Sequence, residues 1–364
     1  MLWKILALVA KVLLVLLILL AIHLYKEFAL IPSDYISKKY PNLSYYDYQN
    51  RVFISPRKTV TYPERVRGGS MNWLRFAQPS VNAPTQPLPK MMLDKESFAA
   101  QPDNAAIYWL GHSTAIVELA GVRMLIDPVF DNAGFLPMIV PRYDNAPLTR
   151  EQLPQLDAVL ITHDHYDHLE RSTIEYLKER DLIFVAPLGV AERLRIWGVP
   201  DKNIRELGWD ESTDIKGVQV TAMTASHFSG RSTIRNKTLW TAYGLKSADK
   251  NIFWSGDTGY SEHFKEIGRK YGPFDLAAME MDAWNPGWPY THLFPDEVVR
   301  AAQDIGAKQV MPIHWAVFDL ALHPWRESIE MVVEAANKAN IPVATPMLGE
   351  KFVPGNTQTK YWWK

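Results

Sequence analysis

Cysteine is absent from the 364 residues of this chain. Without a thiol there is no disulfide framework, no thiolate nucleophile, no sulfur ligand for a metal and no acylated cysteine anchor. An excess of one charge is lacking as well, since the formal net charge is -1 and the pI is about 6.8. This balance gives no electrostatic reason to expect nucleic acid, and no run of lysine and arginine adds one. We therefore expect no nucleic-acid partner.

A long apolar run is present at the N-terminus. Residues 2–24 are almost wholly apolar, and about 20 residues at helical rise cross the hydrocarbon of a bilayer. A cleaved secretory signal is the competing interpretation, but no small-residue cleavage site follows the run. We predict a single membrane-spanning anchor over residues 1–25. Lys4 and Lys11 favour a cytoplasmic N-terminus, which would place the following domain on the extracytoplasmic side.

The rest of the chain divides near residue 104. Residues 26–103 are irregular and rich in proline, tyrosine and basic side chains, which predicts an extended segment that wraps a domain. Residues 104–364 alternate short apolar strands with helices and glycine turns, which is typical of a layered α/β domain. The predicted strands are 107–110, 116–119, 123–126, 158–161, 183–185, 218–223, 241–245, 252–254, 276–278 and 309–311. The predicted helices are 171–179, 190–197, 261–271, 295–305 and 326–340.

Candidate metal ligands follow four of these strands. The first strand end carries four of them within six residues, and three further strand ends carry one each. The seven are His163, His165, Asp167, His168, His227, Asp257 and His314. Any single histidine would more often be an ordinary hydrogen-bonded side chain. Three imidazoles and a carboxylate within six residues are different, because they must converge on cations or repel one another once protonated.

The number of ligands favours two metal ions. We predict that one ion takes His163, His165 and His227, that the other takes Asp167, His168 and His314, and that Asp257 bridges them. Imidazole and carboxylate ligands suit Zn²⁺, the default, and also tolerate Fe or Mn. A water molecule between two such cations would ionise near neutral pH, and the hydroxide that forms would attack an electrophilic carbon or phosphorus. The pattern therefore indicates metal-assisted hydrolysis.

These motifs resemble those of a known superfamily. The cluster at 162–169, with His227, residues 256–259 and His314, is similar to the metallo-β-lactamase fold, and the likeness covers roughly residues 104–349. The resemblance implies an αββα sandwich with a dinuclear site on its upper edge.

Within that superfamily the chain resembles the phospholipases D that hydrolyse N-acyl-phosphatidylethanolamine. The stretches that carry this likeness are 109–114, 126–128, 256–260, 267–268, 272–278 and 313–315. It implies that the seven residues are zinc ligands and that the substrate is a phospholipid, cleaved on the headgroup side to release phosphatidate. The family has Ser-Gln-His before the histidine equivalent to His227, whereas residues 224–227 here read Thr-Ala-Ser-His.

Further residues are candidates for substrate contact and proton transfer. Arg231, Arg235 and Lys237 would clamp a lipid phosphate, or would form a solvated loop. Trp284, in the aromatic stretch 284–290, would line a groove for acyl chains, or would belong to a rigid surface loop. His292 would orient a ligand or protonate the leaving alkoxide, which makes it the catalytic candidate beside Asp257.

Other residues in the motifs have structural interpretations. Hydrogen bonds that stabilise turns are the expected role of His112 and Asp127, and the carboxylate of Asp127 would brace the ligand cluster. The aromatic C-terminus, 361–364, resembles an interfacial anchor or packs on the sandwich.

The sequence therefore predicts a membrane-anchored dinuclear zinc hydrolase whose bridging hydroxide attacks a phosphodiester of a membrane phospholipid. Its expected partners are the phospholipid substrate and the bilayer, and its oligomeric state stays open. Two alternatives remain. One is a lactonase or small-ester hydrolase on the same fold, and the other is a metal-stabilised membrane-tethered scaffold without turnover.

Overall fold

The computed structural model describes residues 2–32, 34–68, 80–136, 138–232, 234–356 and 359–364. Its helices are α1 (Leu2–Phe28), α2 (Tyr35–Lys39), α3 (Arg171–Leu177), α4 (Val190–Ile196), α5 (His263–Tyr271), α6 (Pro295–Asp304) and α7 (Glu327–Lys338). Its strands are β1 (Tyr46–Asp47), β2 (Val52–Phe53), β3 (Ala105–Gly111), β4 (Thr114–Leu119), β5 (Val122–Ile126), β6 (Ala158–Leu160), β7 (Ile183–Pro187), β8 (Ile204–Leu207), β9 (Ser212–Ile215), β10 (Val218–Met223), β11 (Ala242–Lys246), β12 (Asn251–Trp254), β13 (Leu276–Glu280), β14 (Val310–Ile313) and β15 (Lys351–Phe352).

Two large mixed sheets form the centre of the domain. One has the strand order β15-β3-β4-β5-β6-β7-β8, and the other has the order β14-β13-β12-β11-β10-β9. Pairing is parallel from β5 to β8 and from β12 to β14, and antiparallel elsewhere in both sheets. Parallel neighbours send their carboxyl ends to the same edge of the sheet, so loops that follow them can meet there.

Strand β3 shows how the layers pack. Ile107 and Trp109 belong to the core between the two sheets, whereas Tyr108 and Leu110 belong to the core formed with α3 and α4. Successive side chains of a strand point to opposite faces, which gives the sheet one helical neighbour and one sheet neighbour. The apolar faces of α5, α6 and α7 join the first core, on the side of the second sheet. The predicted αββα metallo-β-lactamase sandwich is confirmed.

The predicted N-terminal helix is present as α1. It is long and apolar enough to cross a membrane, and its most apolar window is exposed along its whole length. Its C-terminal end, by contrast, contacts the domain, since Glu27 and Ala29 are buried there. The candidate anchor is therefore attached to the globular part at one end.

The described parts of residues 26–103 lie against the domain. In the hairpin β1–β2, Tyr46 is opposite Phe53, and both pack with Leu188, Leu239 and Trp240. The strand pair is short, so this packing rather than its own hydrogen bonds holds it in place.

Three strands of the large sheets are missing from the predicted set. They are β8, β9 and β15, and each lies at or next to a sheet edge. Strand β9 is largely exposed, so its sequence lacks the apolar signal of a buried strand. At the C-terminus, Trp363 is 3% exposed and lies 5.8 Å from the ring of Trp315. Trp363 therefore packs on the sandwich, as the second of the two interpretations expected, whereas Tyr361 is exposed.

Candidate metal centre

The candidate ligands converge because their strands end at one edge. Two antiparallel pairings separate β10 from β12, so these strands run in the same direction, and parallel pairings extend that direction to β14. The ligands His227, Asp257 and His314 follow these three strands. The loop after β6 brings residues 163–168 to the same place from the facing sheet, so four separate stretches of chain meet.

The first group of candidate ligands contains three histidines and one carboxylate oxygen of Asp257. His165 Nδ1 lies 2.8 Å from His163 Nε2 and 3.3 Å from His227 Nε2. Asp257 Oδ2 lies 3.7 Å from His163 Nε2 and 3.6 Å from His227 Nε2. Four potential ligand atoms thus surround one position, as the sequence predicted for the first ion.

The second group uses the other oxygen of Asp257. Asp257 Oδ1 lies 3.1 Å from the Nε2 atoms of both His168 and His314. Asp167 Oδ2 lies 3.4 Å and 3.5 Å from the same two nitrogens. The two carboxylate oxygens of Asp257 therefore face two different groups of ligands, which is the arrangement that the predicted bridging role requires.

Several of these atoms are buried without a hydrogen bond. His168 Nε2 and His314 Nε2 each lie 3.1 Å from Asp257 Oδ1, but none of these three atoms has a hydrogen-bond partner of suitable geometry among the described residues. A buried polar atom without a partner is unfavourable by about 1–3 kcal/mol, and a cation at this point would satisfy all three. The residues therefore fit divalent metal ions.

The two groups differ in their electrostatics. Burial lowers the pKa of His163 and of His227 well below the ordinary value, which keeps both imidazoles neutral. Burial raises the pKa of Asp257, but the nearby His168 and His314 outweigh it and hold the pKa well below the usual range. Burial also opposes the charged forms of His168 and His314, but Asp257 outweighs it and raises the pKa of His168 well above the ordinary value and that of His314 to about 10. Neutral imidazoles and ionised carboxylates are the forms that bind metals, so a cation in the second group would displace the protons of these two rings.

Comparison with known proteins defines the family. A family model described as a beta-lactamase superfamily domain matches residues 122–315. The chain belongs to the beta-lactamase superfamily. An uncharacterized protein of Mycobacterium tuberculosis is 38% identical over 299 residues, which cover 80% of this chain and 80% of the relative. N-acyl-phosphatidylethanolamine-hydrolyzing phospholipase D 1 of Caenorhabditis elegans is 33% identical over 227 residues, covering 58% of this chain and 64% of the relative.

A solved structure supports the fold of this metallo-hydrolase. Isothiocyanate hydrolase from Delia radicum gut bacteria aligns with a TM-score of 0.56 at 19% identity, covering 68% of this chain and 98% of that chain. At this identity the likeness concerns the fold alone. Together with the sequence relatives, it confirms the predicted resemblance to metallo-β-lactamase-fold hydrolases.

Hydrogen bonds behind the ligands orient their rings. Thr162 Oγ1 lies 3.0 Å from His163 Nδ1, and Asp127 Oδ2 lies 2.8 Å from His168 Nδ1. His227 Nδ1 lies 3.0 Å from the carbonyl oxygen of Thr291. With Nδ1 engaged in each case, Nε2 is directed to the metal position, which is how metallo-hydrolases usually fix a histidine ligand. Asp127 also accepts the backbone N–H and the hydroxyl of Thr162, each at 2.7 Å.

Asp127→Asn is expected to weaken metal binding by about 10- to 100-fold, because the amide replaces a charged acceptor behind His168. The measurement is the Zn²⁺ affinity of the purified protein by competition with a chelator. Asp201→Asn, at an exposed carboxylate paired with Arg195, is the matched control. A Zn²⁺ affinity equal to that of the control variant would show that Asp127 does not support metal binding.

His112 is the residue that the sequence interpretation undervalued. Its Nε2 lies 2.8 Å from Asp167 Oδ2, and its ring centroid is 3.9 Å from that of His314. It therefore belongs to the second ligand group, whereas a turn-stabilising role was predicted for it. The signal in the sequence was its place in the family motif 109–114, but the topology was needed to bring the turn after β3 to this edge.

His292 lies at the site, as predicted. Its ring is within reach of Asp257 and His314, and its Nδ1 lies 3.3 Å from Glu280 Oε1. Glu280 is fully buried and accepts the backbone N–H of Leu293 at 3.0 Å. The carboxylate therefore holds the segment that carries His292 against the metal groups.

A cavity of about 1020 Å³ opens above the ligands. Metal ligands and His292 form its floor, and the N-terminal segment contributes one wall. The lining includes Thr59, Thr61, Pro63, Val66, His165, Asp167, His227, Phe228, Arg235, Asp257, Trp288, His292 and Leu320. Residues 26–103 therefore help to shape the site, which their irregular sequence did not indicate.

One of the four predicted substrate contacts lines this cavity. Arg235 is exposed at the rim, with its guanidinium 4.8 Å from the ring centroid of Phe228. Lys237 is not among the described residues that line the cavity. It donates a hydrogen bond to the carbonyl oxygen of Arg51 at 2.7 Å. The structure therefore does not bring its ammonium group to the cavity.

The structure does not bring Arg231 and Trp284, the other two predicted substrate contacts, to the cavity lining. Arg231 is 3% exposed, and its guanidinium donates to Glu27 and to the carbonyl oxygens of Asp164 and Leu169. Trp284 is 5% exposed, and its Nε1 donates to Ser328 Oγ at 3.0 Å. Both side chains are engaged in internal contacts, so neither can present its polar group to a substrate. Trp288, four residues along the same aromatic stretch, lines the cavity instead.

Proposed function

We propose that this protein is a membrane-anchored dinuclear zinc hydrolase that cleaves a phosphodiester of a membrane phospholipid. The observation that carries the proposal is Asp257, whose two oxygens each face a separate group of imidazoles. The relative of Caenorhabditis elegans, named as a phospholipase D that hydrolyses N-acyl-phosphatidylethanolamine, supports this substrate class.

The residues of the site have distinct roles in this proposal. Bound zinc ions would supply Lewis acidity and lower the pKa of a water molecule to near neutrality. Asp257 and the histidines would hold the two ions. Glu280 engages His292 on its Nδ1 side, which leaves Nε2 as the atom that can carry a proton to the leaving alkoxide.

The cavity suits an amphipathic substrate. Val66, Phe228, Trp288 and Leu320 provide apolar surface for acyl chains, and Arg235 provides a cation at the rim. A guanidinium binds a phosphate oxygen through paired N–H donors. The exposed apolar helix α1 would hold the domain on the bilayer, where the substrate is concentrated. From the positions of Lys4 and Lys11 in α1, we predict that the domain lies on the extracytoplasmic side of the membrane.

Arg235→Ala is expected to reduce kcat/KM for the phospholipid by about 5-fold, mainly by raising KM, because an exposed cation contributes about 1 kcal/mol to phosphate binding. Lys237→Ala removes the same charge two residues away. It is expected to leave kcat and KM unchanged, because Lys237 is not among the described residues that line the cavity. Steady-state kinetics on mixed micelles check both. Equal effects of the two substitutions would indicate general electrostatic attraction rather than a contact of Arg235.

The decisive experiment for the function identifies the products. Purified protein is incubated with total membrane lipid, and products are identified by mass, with Asp257→Asn as the control. Phosphatidate that forms with the unmodified chain and not with the variant supports the proposal. Products that persist with the variant would implicate a contaminant.

The two alternative functions are tested by the same preparation. Turnover of lactones or small esters without phospholipid cleavage would establish the small-ester hydrolase, because a metal centre of this kind attacks a carboxyl carbon as well as phosphorus. Lactam turnover is checked in parallel. Two bound ions per chain with no hydrolysis of any diester or ester would establish the metal-stabilised scaffold.

A further inference from the structure

The C-terminal end of α1 is attached to the domain through its backbone carbonyl groups. The last carbonyls of a helix have no partner within the helix. Here Trp197 Nε1 donates to the carbonyl oxygen of Lys26 at 2.7 Å, and Arg231 Nε donates to that of Glu27 at 2.9 Å. Arg193 Nη1 donates to that of Ala29 at 2.8 Å and also to that of Phe28. The end of the helix is therefore capped by side chains of the domain.

The same two arginines hold the loop that carries the metal ligands. Arg231 Nη1 donates to the carbonyl oxygens of Asp164 and Leu169, at 3.2 Å and 2.6 Å, and its guanidinium lies 3.8 Å from the ring centroid of Tyr166. Arg193 forms an ion pair with the carboxylate of Asp164 at 2.8 Å. Asp164 lies between the ligands His163 and His165, so each arginine joins the helix end to the metal loop.

A buried carboxylate completes this arrangement. Glu27 is 8% exposed, and its Oε2 accepts a hydrogen bond from Arg231 Nη2 at 3.0 Å. Its Oε1 accepts one from Arg171 Nε at 2.6 Å. The guanidinium of Arg231 is almost fully buried, so Glu27 supplies a counter-charge without which that charge would be unfavourable.

We propose that Glu27, Arg193 and Arg231 form a latch through which the end of the apolar helix holds the loop 163–168 in the geometry that binds metal. Arg231 is then a positioning residue, because its hydrogen bonds to this part of the chain go to backbone carbonyl groups and not to the side chains of the candidate ligands. Docking of residues 26–29, at the end of the helix, and order in the metal centre are coupled by this latch. The proposal concerns the same site as the proposed function, but metal binding tests it without any substrate.

The experiment uses the full chain in detergent, loaded with Co²⁺ in place of the natural metal. Release of Co²⁺ to an excess of chelator is followed by the visible absorption of the bound ion. Glu27→Gln keeps the size and one acceptor of the side chain but removes the counter-charge of Arg231. Glu175→Gln is the matched control, because Glu175 also pairs with Arg171 but lies on the surface of α3.

Glu27→Gln is expected to release Co²⁺ about 10-fold faster than the unmodified chain, which is the usual size of an effect on metal affinity from residues behind the ligands. Arg231→Lys, which keeps the charge but loses the planar fork, is expected to do the same and to lower kcat more than it changes KM. Glu175→Gln is expected to release the ion at the unmodified rate. Circular dichroism shows whether each variant is folded.

Release from Glu27→Gln at the rate of Glu175→Gln would overturn the latch. So would fast release from Arg231→Lys alone, since the arginine would then hold the loop without the helix. If Arg231→Lys does not fold, the comparison of the two glutamine variants decides. A chain that binds Co²⁺ in this manner but cleaves no phospholipid would refute the proposed function and leave the latch standing.

Discussion

Asp257→Asn is expected to reduce phospholipid hydrolysis by at least about 1,000-fold, because bound metals stabilise the transition-state charge by several kcal/mol and each 1.36 kcal/mol is tenfold in rate. The carboxylate presents one oxygen to His163 and His227 and the other to His168 and His314. An asparagine of the same shape can present its oxygen to one group only, and it turns an NH₂ towards the other. It also removes a negative charge that both metal positions share.

The measurement is phosphatidate formation by mass, together with the number of ions bound per chain by elemental analysis. We expect the variant to fold normally and to bind fewer metal ions than the unmodified chain. Asp249→Asn, at an exposed aspartate on the turn before β12, is the control for the same chemical change. Substantial turnover by Asp257→Asn with a full complement of metal would refute a bridging role for this carboxylate.

Deletion of residues 1–25 is expected to reduce kcat/KM on phospholipid vesicles by roughly 100-fold, because attachment to the bilayer raises the effective concentration of substrate by a factor of that order or more. Activity on detergent-dispersed phospholipid is expected to change little. The truncated chain retains Lys26–Ala29, so the carbonyl groups that Trp197, Arg193 and Arg231 bind are still present. The two substrates therefore separate attachment to the membrane from integrity of the site.

A second chain provides the matched control for this deletion. In it, an unrelated apolar helix of equal length replaces residues 1–25, and vesicle activity is expected to return. Equal losses on vesicles and on dispersed substrate would contradict the anchor as the cause. They would indicate instead that the helix is needed for the fold of the domain.

The metal ligands were predictable because their signal is local. Four of them stand within six residues, and the others follow apolar stretches that are visible as strands. His112 and Glu280 carried no comparable signal, since each is a single side chain whose role depends on a neighbour far along the chain. The contact of Arg231 with Glu27 had no local signal either. A cation in a polar loop resembles a substrate clamp until its partner, Glu27, is known.

The sequence by itself determined the layered fold, the apolar helix and the seven candidate ligands, because hydrophobic periodicity and residue chemistry act over short distances. Tertiary structure decided which oxygen of Asp257 faces which imidazoles, which of the arginines is exposed, and which wall of the cavity the N-terminal segment forms. These are contacts between residues tens to hundreds of positions apart, and they depend on how the two sheets pack. No local pattern encodes them.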